Sequence, residues 1–237
     1  MSIAEKLVEV AENQQRVYEA GYAAGYEAGA ETGSGGNYDQ GYTDGQKAEY
    51  DRFWDAYQQN GNRDHYVSAF AFLGWTDETY NPKYPITGGT LYGLQEVFRN
   101  SYIVDTKVQI INHGSNMNTT FNGCVLLERI PSLVLKAPVT ALTNTFASCS
   151  RLKEINITCD GGCLAGNTNL QWSTMLNKAS IESIISALSD TTTGLTLTLS
   201  DEAVTNAFNS TGEYPDGYGP EWEVLILSKP DWTISLP

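Results

Sequence analysis

Basic residues are scarce in this chain of 237 residues. It contains 14 Lys and Arg against 28 Asp and Glu, which gives a formal charge of −14 at pH 7. Nucleic acids and anionic membranes attract proteins that present a basic face, so this balance argues against both as partners. The chain also lacks any run of about 18 consecutive apolar residues, the length that a membrane-spanning helix needs.

A secretory signal is missing from the first residues. The segment "MSIAEKLVEVAE" has no basic stretch followed by an apolar core, so we expect synthesis in a reducing cytoplasm without export by the general secretory route. In that compartment the four cysteines are expected to be thiols rather than a disulfide framework. The sequons at Asn118, Asn156 and Asn209 therefore carry no weight as glycosylation sites.

Sequence signatures of catalysis are also missing. His65 and His113 are the only histidines, and no serine-hydrolase, zinc-protease, Walker or dinucleotide-binding motif occurs. We therefore expect no enzymatic activity, no catalytic residue, no cofactor and no metal. Cys159 and Cys163 in "CDGGC" are most simply two thiols in a turn. A disulfide is a second interpretation, and a metal site is the least favoured because a second pair of ligands is missing.

A narrow apolar seam follows the start of the chain. Residues 3–19 are predicted to form a helix whose apolar side chains recur at steps of three and four, the spacing of a coiled coil. An ordinary amphipathic helix docked on its own domain is the alternative. We favour self-association through the seam, which consists of Ile3, Leu7, Val10 and Val17.

Glycine-rich sequence separates this helix from the rest of the chain. Glycine recurs at every fourth residue from Gly21 to Gly33, and the run "GSGG" predicts a flexible linker. A second helix is expected over 46–59, where four aromatic side chains share one face and Asn60-Gly61 supplies the stop. The mixed aromatic and turn residues over 62–90 predict a compact irregular segment that caps the next part of the chain.

Residues 94–155 contain three copies of one pattern. An apolar residue is followed after four positions by Phe, after three more by Cys or Ser, and after another three by Leu or Val. The copies begin 23 and 25 residues apart, and a period of this size is typical of a solenoid whose small coils share one core. The aligned residues are Leu94, Phe98, Ser101 and Val104, then Met117, Phe121, Cys124 and Leu127, then Leu142, Phe146, Cys149 and Leu152.

The repeated Cys of this pattern is interpreted as a buried structural thiol. Stacked coils would place Phe on Phe and Cys on Cys, and Ser101 in the first copy indicates that the position needs a small side chain. After Ile155 the pattern is no longer recognisable in "NITCDGGCLAGNTNL". The sequence therefore leaves the number of further coils open.

Beyond the repeats the sequence predicts alternating helices and strands. A helix with an isoleucine-rich stripe is expected to begin at an N-cap, either Asn177 or Ser180. Strand, helix and strand in succession then predict a parallel pair that continues the stack. The expected elements are a strand over 195–199, a helix after Ser200, a helix that begins at Pro220 and a strand over 232–236.

These boundaries divide the chain into five parts. Residues 1–33 are predicted to serve oligomerisation or docking on a larger particle, and residues 34–45 form the linker. Residues 46–90 form a helical and aromatic cap. Residues 91–170 contain the repeats, and residues 171–237 form an α/β cap.

Several segments resemble one known family. "MNTTFNGCVLLERI" and "LTNTFASCSRLKEI" are similar to the units of BspA-type leucine-rich repeats, which read Phe-x-x-Cys-x-x-Leu-x-x-Ile. The N-terminal "SIAEKLVEVAENQQRVYEAG" and the later "LNKASIESIISALSDTTTGLTLTLS" resemble the leader and the closing part of such proteins in phages and prophages of gut Firmicutes. With "QKAEYDRFWDAYQQNGNR", the linking "PSLVLKAPVTAL" and the final "WTISLP", which are also similar to parts of that group, the resemblance extends from the start of the chain to its end.

The resemblance implies both a fold and a function. The implied fold is an α+β or α/β solenoid, a short leucine-rich-repeat stack with α/β closing coils, preceded by a helical segment similar to a coiled coil. The implied function is that of a phage virion structural protein, an attachment fibre or receptor-binding component, which is assembled in the host cytoplasm. Its implied partners are itself as a homotrimer, other virion proteins through the N-terminal segment, and a polysaccharide or protein of the host surface.

Other functions stay open beside this one. The chain could be a bacterial leucine-rich-repeat adhesin outside any virion, or a purely structural decoration protein of a capsid or tail. An enzyme that acts on cell-wall glycans is less favoured for want of a motif, although paired carboxylates are invisible in a sequence.

Overall fold

The computed structural model describes residues 71–237, apart from 79, 83, 84, 160, 161 and 216. The predicted helices over 3–19 and 46–59 and the glycine-rich linker lie outside the described residues. The described part is a mixed α/β fold with parallel sheets. Its elements are β1 (Ile86–Gly88), β2 (Ile110–Asn112), β3 (Arg129–Leu135), β4 (Glu154–Cys159), β5 (Thr168–Leu170), α1 (Lys178–Ser186), β6 (Leu195–Leu199), α2 (Asp201–Phe208), α3 (Pro220–Leu227) and β7 (Trp232–Ser235).

The first sheet consists of β1, β2, β3 and β4, which lie side by side in chain order and are all parallel. The register aligns Ile86, Ile110, Leu133 and Ile157 in one row across the sheet. All four of these side chains are buried. They are apolar and mostly β-branched, the residue types that favour strands packed on a core.

The second sheet consists of β5, β6 and β7, again parallel and in chain order. Parallel neighbours need a crossover connection, and α2 and α3 form the crossover between β6 and β7. The parallel pair expected from the sequence is therefore confirmed. Leu197 and Leu199 of β6 are buried, so the alternation of Leu with Thr marks the inner side of this strand.

The three helices of the described part begin where the sequence indicates. Of the two N-cap candidates for α1, the structure uses Asn177, whose side-chain oxygen accepts a hydrogen bond from Ser180 N at 2.8 Å. Ser200 caps α2 by accepting from Ala203 N. Pro220 is the first residue of α3, where its missing amide hydrogen costs nothing.

Two residues with a left-handed backbone conformation, that is with positive φ, flank each Phe of the three copies. One lies two positions before the Phe and the other two positions after it. The chain must turn sharply at both points to pass from one strand to the next. Only glycine adopts this backbone conformation freely, and Asn tolerates it better than a β-branched residue. The residues before Phe are Glu96, Thr119 and Asn144, with φ of 58°, 53° and 55°; those after it are Asn100, Gly123 and Ser148, with φ of 55°, 76° and 63°.

Helix α1 covers the outer edge of β4. Ile155 N donates to Ser180 Oγ at 2.9 Å, and Ile157 N donates to Ser183 Oγ at 2.7 Å. Two hydroxyl groups thus take the place of the carbonyl groups that a further strand would supply. The first sheet ends here without leaving these two amide groups unsatisfied.

Candidate functional surface

A row of stacked aromatic rings runs through the core of the repeated segments. The ring centroids of Phe98 and Phe121 are 5.1 Å apart and those of Phe121 and Phe146 are 5.7 Å apart, with nearly parallel planes. Phe72 extends the row at 4.8 Å from Phe98. All four rings are buried, so the row fixes the spacing of successive segments.

A second row contains the repeated Cys and Ser residues. The Cys124 thiol donates to the Phe98 carbonyl oxygen at 2.9 Å, and the Cys149 thiol donates to the Phe121 carbonyl oxygen at 3.1 Å. Ser101 Oγ lies 3.3 Å from Cys124 Sγ. Each thiol therefore satisfies a buried carbonyl group of the preceding copy, which is a structural role. Leu127 and Leu152, which complete these copies, are also fully buried.

Burial makes these thiols poor nucleophiles. It raises the pKa of Cys124 to about 11, although the hydrogen bond with Ser101 acts in the opposite direction. Burial, together with the neighbouring Cys124, raises the pKa of Cys149 well above its usual value. Because the thiolate is the reactive form, neither side chain is suited to nucleophilic catalysis at neutral pH.

A fourth copy of the pattern occurs where the sequence left the number of coils open. Ser173 Oγ donates to the preceding copy, as the thiols do, but its acceptor is the Cys149 carbonyl oxygen, at 3.2 Å, and not the carbonyl group of Phe146. Leu170 and Leu176, three residues to either side of it, are buried. Leu takes the place of Phe here and Ser that of Cys, and Ser101 already indicated that the second exchange is tolerated. The spacing Leu-x-x-Ser-x-x-Leu was thus a readable signal.

The alignment of the first copy is wrong by one residue. Val104 is half-buried, whereas Ile103 is fully buried. Glu128 N donates to the Val104 carbonyl oxygen, as Lys153 N donates to that of Glu128. Val104 therefore corresponds to the residue after Leu127, and Ile103 takes the core position because this copy is one residue shorter.

Cys159 and Cys163 are both free thiols. Cys163 is buried with its sulfur 3.7 Å from the Leu135 carbonyl oxygen, and Cys159 is half-buried at the end of β4. Among the described residues, no group of three or more His, Cys, Asp or Glu side chains could hold a metal ion. His113, which is half-buried in the loop after β2, belongs to no such group.

Ion pairs link successive copies of the pattern at the surface. Arg129 lies 2.6 Å from Asp105, and Glu128 contacts both Arg151 at 2.8 Å and Lys153 at 2.9 Å. The hydrogen bond from Lys153, with the nearby charges, lowers the pKa of Glu128. This carboxylate is thus held in its charged form and is unsuited to act as a general acid. Such exposed pairs add little stability but favour one register.

The outer side of the first sheet presents small and β-branched side chains in aligned rows. Thr87, Ile111, Val134 and Thr158 form one such row across the four strands. Val134 is buried in this row, Thr87 and Ile111 are half-buried, and Thr158 is exposed. Gln109 donates to Ser132 Oγ at 3.3 Å on the same side. Asn156 and Thr158 of β4 are exposed. We call this side the outer sheet face.

Several large apolar side chains also reach solvent. Tyr92 lies in the loop after β1, Tyr102 follows Ser101, and Trp172 and Met175 belong to the fourth copy. Aromatic side chains in such positions provide rigid contact area for sugars and protein surfaces. Their exposed fractions are 70% for Tyr92, 48% for Tyr102, 42% for Trp172 and 48% for Met175.

The predicted oligomerisation residues Ile3, Leu7, Val10 and Val17 lie outside the described residues. None of the helices in the described part has the length and apolar character needed to cross a bilayer. Comparison of the chain with models of protein families, with curated proteins and with solved structures gives no match.

Proposed function

We propose that the described residues form a short leucine-rich-repeat solenoid and that the protein is a phage virion component that recognises the host surface through it. The main support is the periodic core, in which Phe98, Phe121 and Phe146 stack while the strands of their copies align in parallel. A core of this kind holds every outward side chain at a fixed spacing. The resemblance of the repeat and leader segments to phage proteins supports the virion.

A rigid, extended face suits recognition better than catalysis. Repeated strands offer the same surface in each coil, and such surfaces fit extended polymers or protein patches. The outer sheet face has this form, with Asn156 and Thr158 exposed at β4. The raised pKa values of Cys124 and Cys149 make these thiols poor nucleophiles, and the lowered pKa of Glu128 keeps this carboxylate charged.

Several copies acting together would make weak contacts effective. The N-terminal seam is predicted to join chains, and the "GSGG" linker would let their binding parts move independently. Simultaneous binding can raise avidity about 10²- to 10⁴-fold over a single site. We therefore expect weak binding by a single copy and strong binding by the assembled protein.

Cell-binding measurements test this proposal. Fluorescent full-length protein should bind one strain within a panel of gut Firmicutes, also in the presence of a chelator, and should leave the surface chemically unchanged. Asn156→Arg with Thr158→Arg should weaken binding at least fivefold, because long charged side chains would obstruct the outer sheet face. The matched control is Ser210→Arg with Thr211→Arg, two exposed residues after α2, which should bind as the unmodified protein does.

Two results would count against the proposal. Equal binding by both double variants would place recognition elsewhere on the chain. Absence of binding to every strain, together with antibodies that bind the particle without preventing infection, would favour a purely structural virion role. Localisation of the chain in an electron-microscopy map of the particle would separate a virion protein from a cellular adhesin.

A further inference from the structure

A row of side chains at the surface crosses all four copies of the pattern. Each member directly precedes the buried Leu or Ile with which its copy ends, which is Ile103 in the first copy. We call these residues the cross-copy row. Its members are Tyr102, Leu126, Arg151 and Met175.

Hydrogen bonds between neighbouring copies hold this row in alignment from both sides. Two residues beyond it, a backbone amide of each later copy donates to the copy before, from Glu128, Lys153 and Asn177. Just before it, the Cys and Ser side chains join the same copies. The members of the row therefore follow one another at about 4.8 Å, the spacing of hydrogen-bonded parallel strands.

Apolar surface dominates the row and its immediate neighbour Val125. Tyr102 and Met175 are each 48% exposed, Val125 is 39% exposed and Leu126 is half-buried. A single exposed apolar residue is ordinary, whereas a contiguous apolar patch marks a binding surface. Tyr, Met and Arg are also enriched where proteins contact one another. The composition of the row thus suits a protein partner.

Beside the row the cations lie further out than the carboxylates. The cations are Arg129, Arg151 and Lys153, with exposed side-chain fractions of 57%, 53% and 41%. The carboxylates are Asp105 and Glu128, which pair with them and are 15% and 22% exposed, and the half-buried Glu154. An approaching partner meets positive groups first, although the whole chain carries a formal charge of −14. Complementarity therefore favours an acidic partner.

The spacing of the row indicates the shape of that partner. Side chains three or four positions apart on a helix lie about 5–6 Å from each other, close to the copy spacing of about 4.8 Å. Side chains on one side of an extended strand lie about 6.6 Å apart, because only every second residue faces that side. The row spans three copy intervals, about 14 Å, which is the length of about ten helical residues.

We propose that the cross-copy row binds an acidic amphipathic helix of another protein. Leu or Phe side chains of that helix would pack on Tyr102, Val125 and Met175, and its Asp and Glu side chains would pair with Arg129 and Arg151. An anionic wall polymer would leave the apolar side chains uncovered, and a symmetric second copy would place cations opposite cations. The row uses none of the residues of the outer sheet face, so the inference does not depend on the proposed host recognition.

Peptide binding to the full-length protein tests this inference. The probe is a fluorescent helical peptide with Leu and Phe along one side and Asp and Glu flanking them, and the readout is anisotropy. We expect saturable binding that weakens in high salt. Met175→Glu, and separately Arg129→Gln with Arg151→Gln, should each weaken binding at least fivefold. These side chains are exposed, and unchanged melting temperatures would show that the fold is retained.

Matched controls test the position and the chemistry. Leu91→Glu and Lys136→Gln alter exposed residues that follow β1 and β3, at the opposite end of the strands, and should leave peptide binding unchanged. A peptide with Lys in place of its acidic residues should bind at least fivefold more weakly.

Three results would overturn the inference. The first is the absence of saturable binding by the acidic peptide. The second is equally tight binding of polyglutamate, which would assign the surface to polyanions. The third is a lower oligomeric mass of Met175→Glu in light scattering, which would assign the row to a second copy.

Discussion

The thiols of Cys124 and Cys149 show how one residue type serves the repeat. Each is small enough for the packed interior and donates to a carbonyl group of the preceding copy. Ser101 and Ser173 occupy the same row with a hydroxyl group, and Ser173 also donates to the preceding copy, although to the Cys149 carbonyl oxygen and not to that of Phe146. The position therefore selects for a small donor, and the chemistry of sulfur is incidental.

Thiol reactivity should follow burial. In the native protein at pH 8, an aromatic disulfide reagent should modify Cys159 rapidly and Cys124 and Cys149 only after unfolding. Cys159 is half-buried, whereas burial raises the pKa of Cys124 to about 11 and that of Cys149 well above its usual value. Few thiolates would then exist at pH 8. Absorbance of the released thiolate measures each phase.

Removal of the exposed thiol provides the control for this prediction. Cys159→Ser should abolish the rapid phase and leave the total after unfolding one thiol lower. A rapid phase that persists in this variant, and disappears in Cys124→Ser or Cys149→Ser, would contradict the assignment of those thiols to the core.

Thr119 lies in an unfavourable environment. It is β-branched and left-handed, with φ of 53°, and its hydroxyl group is buried without a hydrogen-bond partner in the described part of the chain. Asn144 holds the same conformation in the next copy. Since Asn tolerates this region better, Thr119→Asn should raise the free energy of unfolding by about 1 kcal/mol. Urea denaturation followed by circular dichroism measures the change.

The neighbouring Thr143 is the matched control for this substitution. It is exposed and is not left-handed, so Thr143→Asn should change the free energy of unfolding by less than about 0.5 kcal/mol. A loss of stability in Thr119→Asn that exceeds the change in Thr143→Asn would show that the left-handed backbone is not the source of strain.

At the scale of elements, α1 resolves a problem that parallel sheets face at their edges. The last strand of such a sheet leaves amide groups without partners, and buried amide groups without partners are costly. Ser180 and Ser183 face β4 and accept from Ile155 N and Ile157 N. The helix thereby ends the first sheet while the chain passes into the second.

Removal of both hydroxyl groups should weaken this junction. Ser180→Ala with Ser183→Ala leaves the amide groups of Ile155 and Ile157 without their partners, and each such loss costs about 1–3 kcal/mol when buried. Because Ser183 is only half-buried, water would replace part of its contribution. We expect the free energy of unfolding to fall by about 2 kcal/mol, measured by urea denaturation.

Ser186, in the same helix, separates this effect from helix propensity. It is exposed, and alanine forms helix slightly better than serine. Ser186→Ala should therefore leave stability unchanged or slightly higher. Equal behaviour of the double variant and Ser186→Ala would mean that the hydroxyl groups do not hold β4.

At the scale of the whole molecule, charge and assembly determine how the protein meets partners. The formal charge of −14 is unevenly distributed, because the one basic residue after 178 is the buried Lys229. The acidic end and the outer sheet face therefore present different chemistry. Assembly through the N-terminal seam would give each oligomer several copies of the acidic end and of the outer sheet face.

Deletion of the N-terminal part should separate assembly from folding. The seam of Ile3, Leu7, Val10 and Val17 is narrow, and an isolated helix of this length is marginal in water without a partner. Light scattering should show an oligomer for the full-length chain and a folded monomer after removal of residues 1–33. A monomeric full-length protein would contradict autonomous assembly, and an oligomer after the deletion would place the contacts elsewhere.

The sequence by itself determined features that depend on neighbours along the chain. Helix α1 follows Asn177, α3 begins at Pro220, and Leu alternates with Thr in β6 because caps, fixed φ angles and strand alternation are local effects. The period of the Phe and Cys positions was also readable, because each copy must fill the same space.

Only the tertiary structure decided the features that depend on contacts between distant residues. Ile103 instead of Val104 enters the core, because the hydrogen bond from Glu128 N to the Val104 carbonyl oxygen sets the position of this segment against the next copy. The serines of α1 accept from β4 across 25 or more residues, which no local pattern encodes. The position of β7 beside β6 is likewise a property of strand order, which becomes defined only when the sheet has formed.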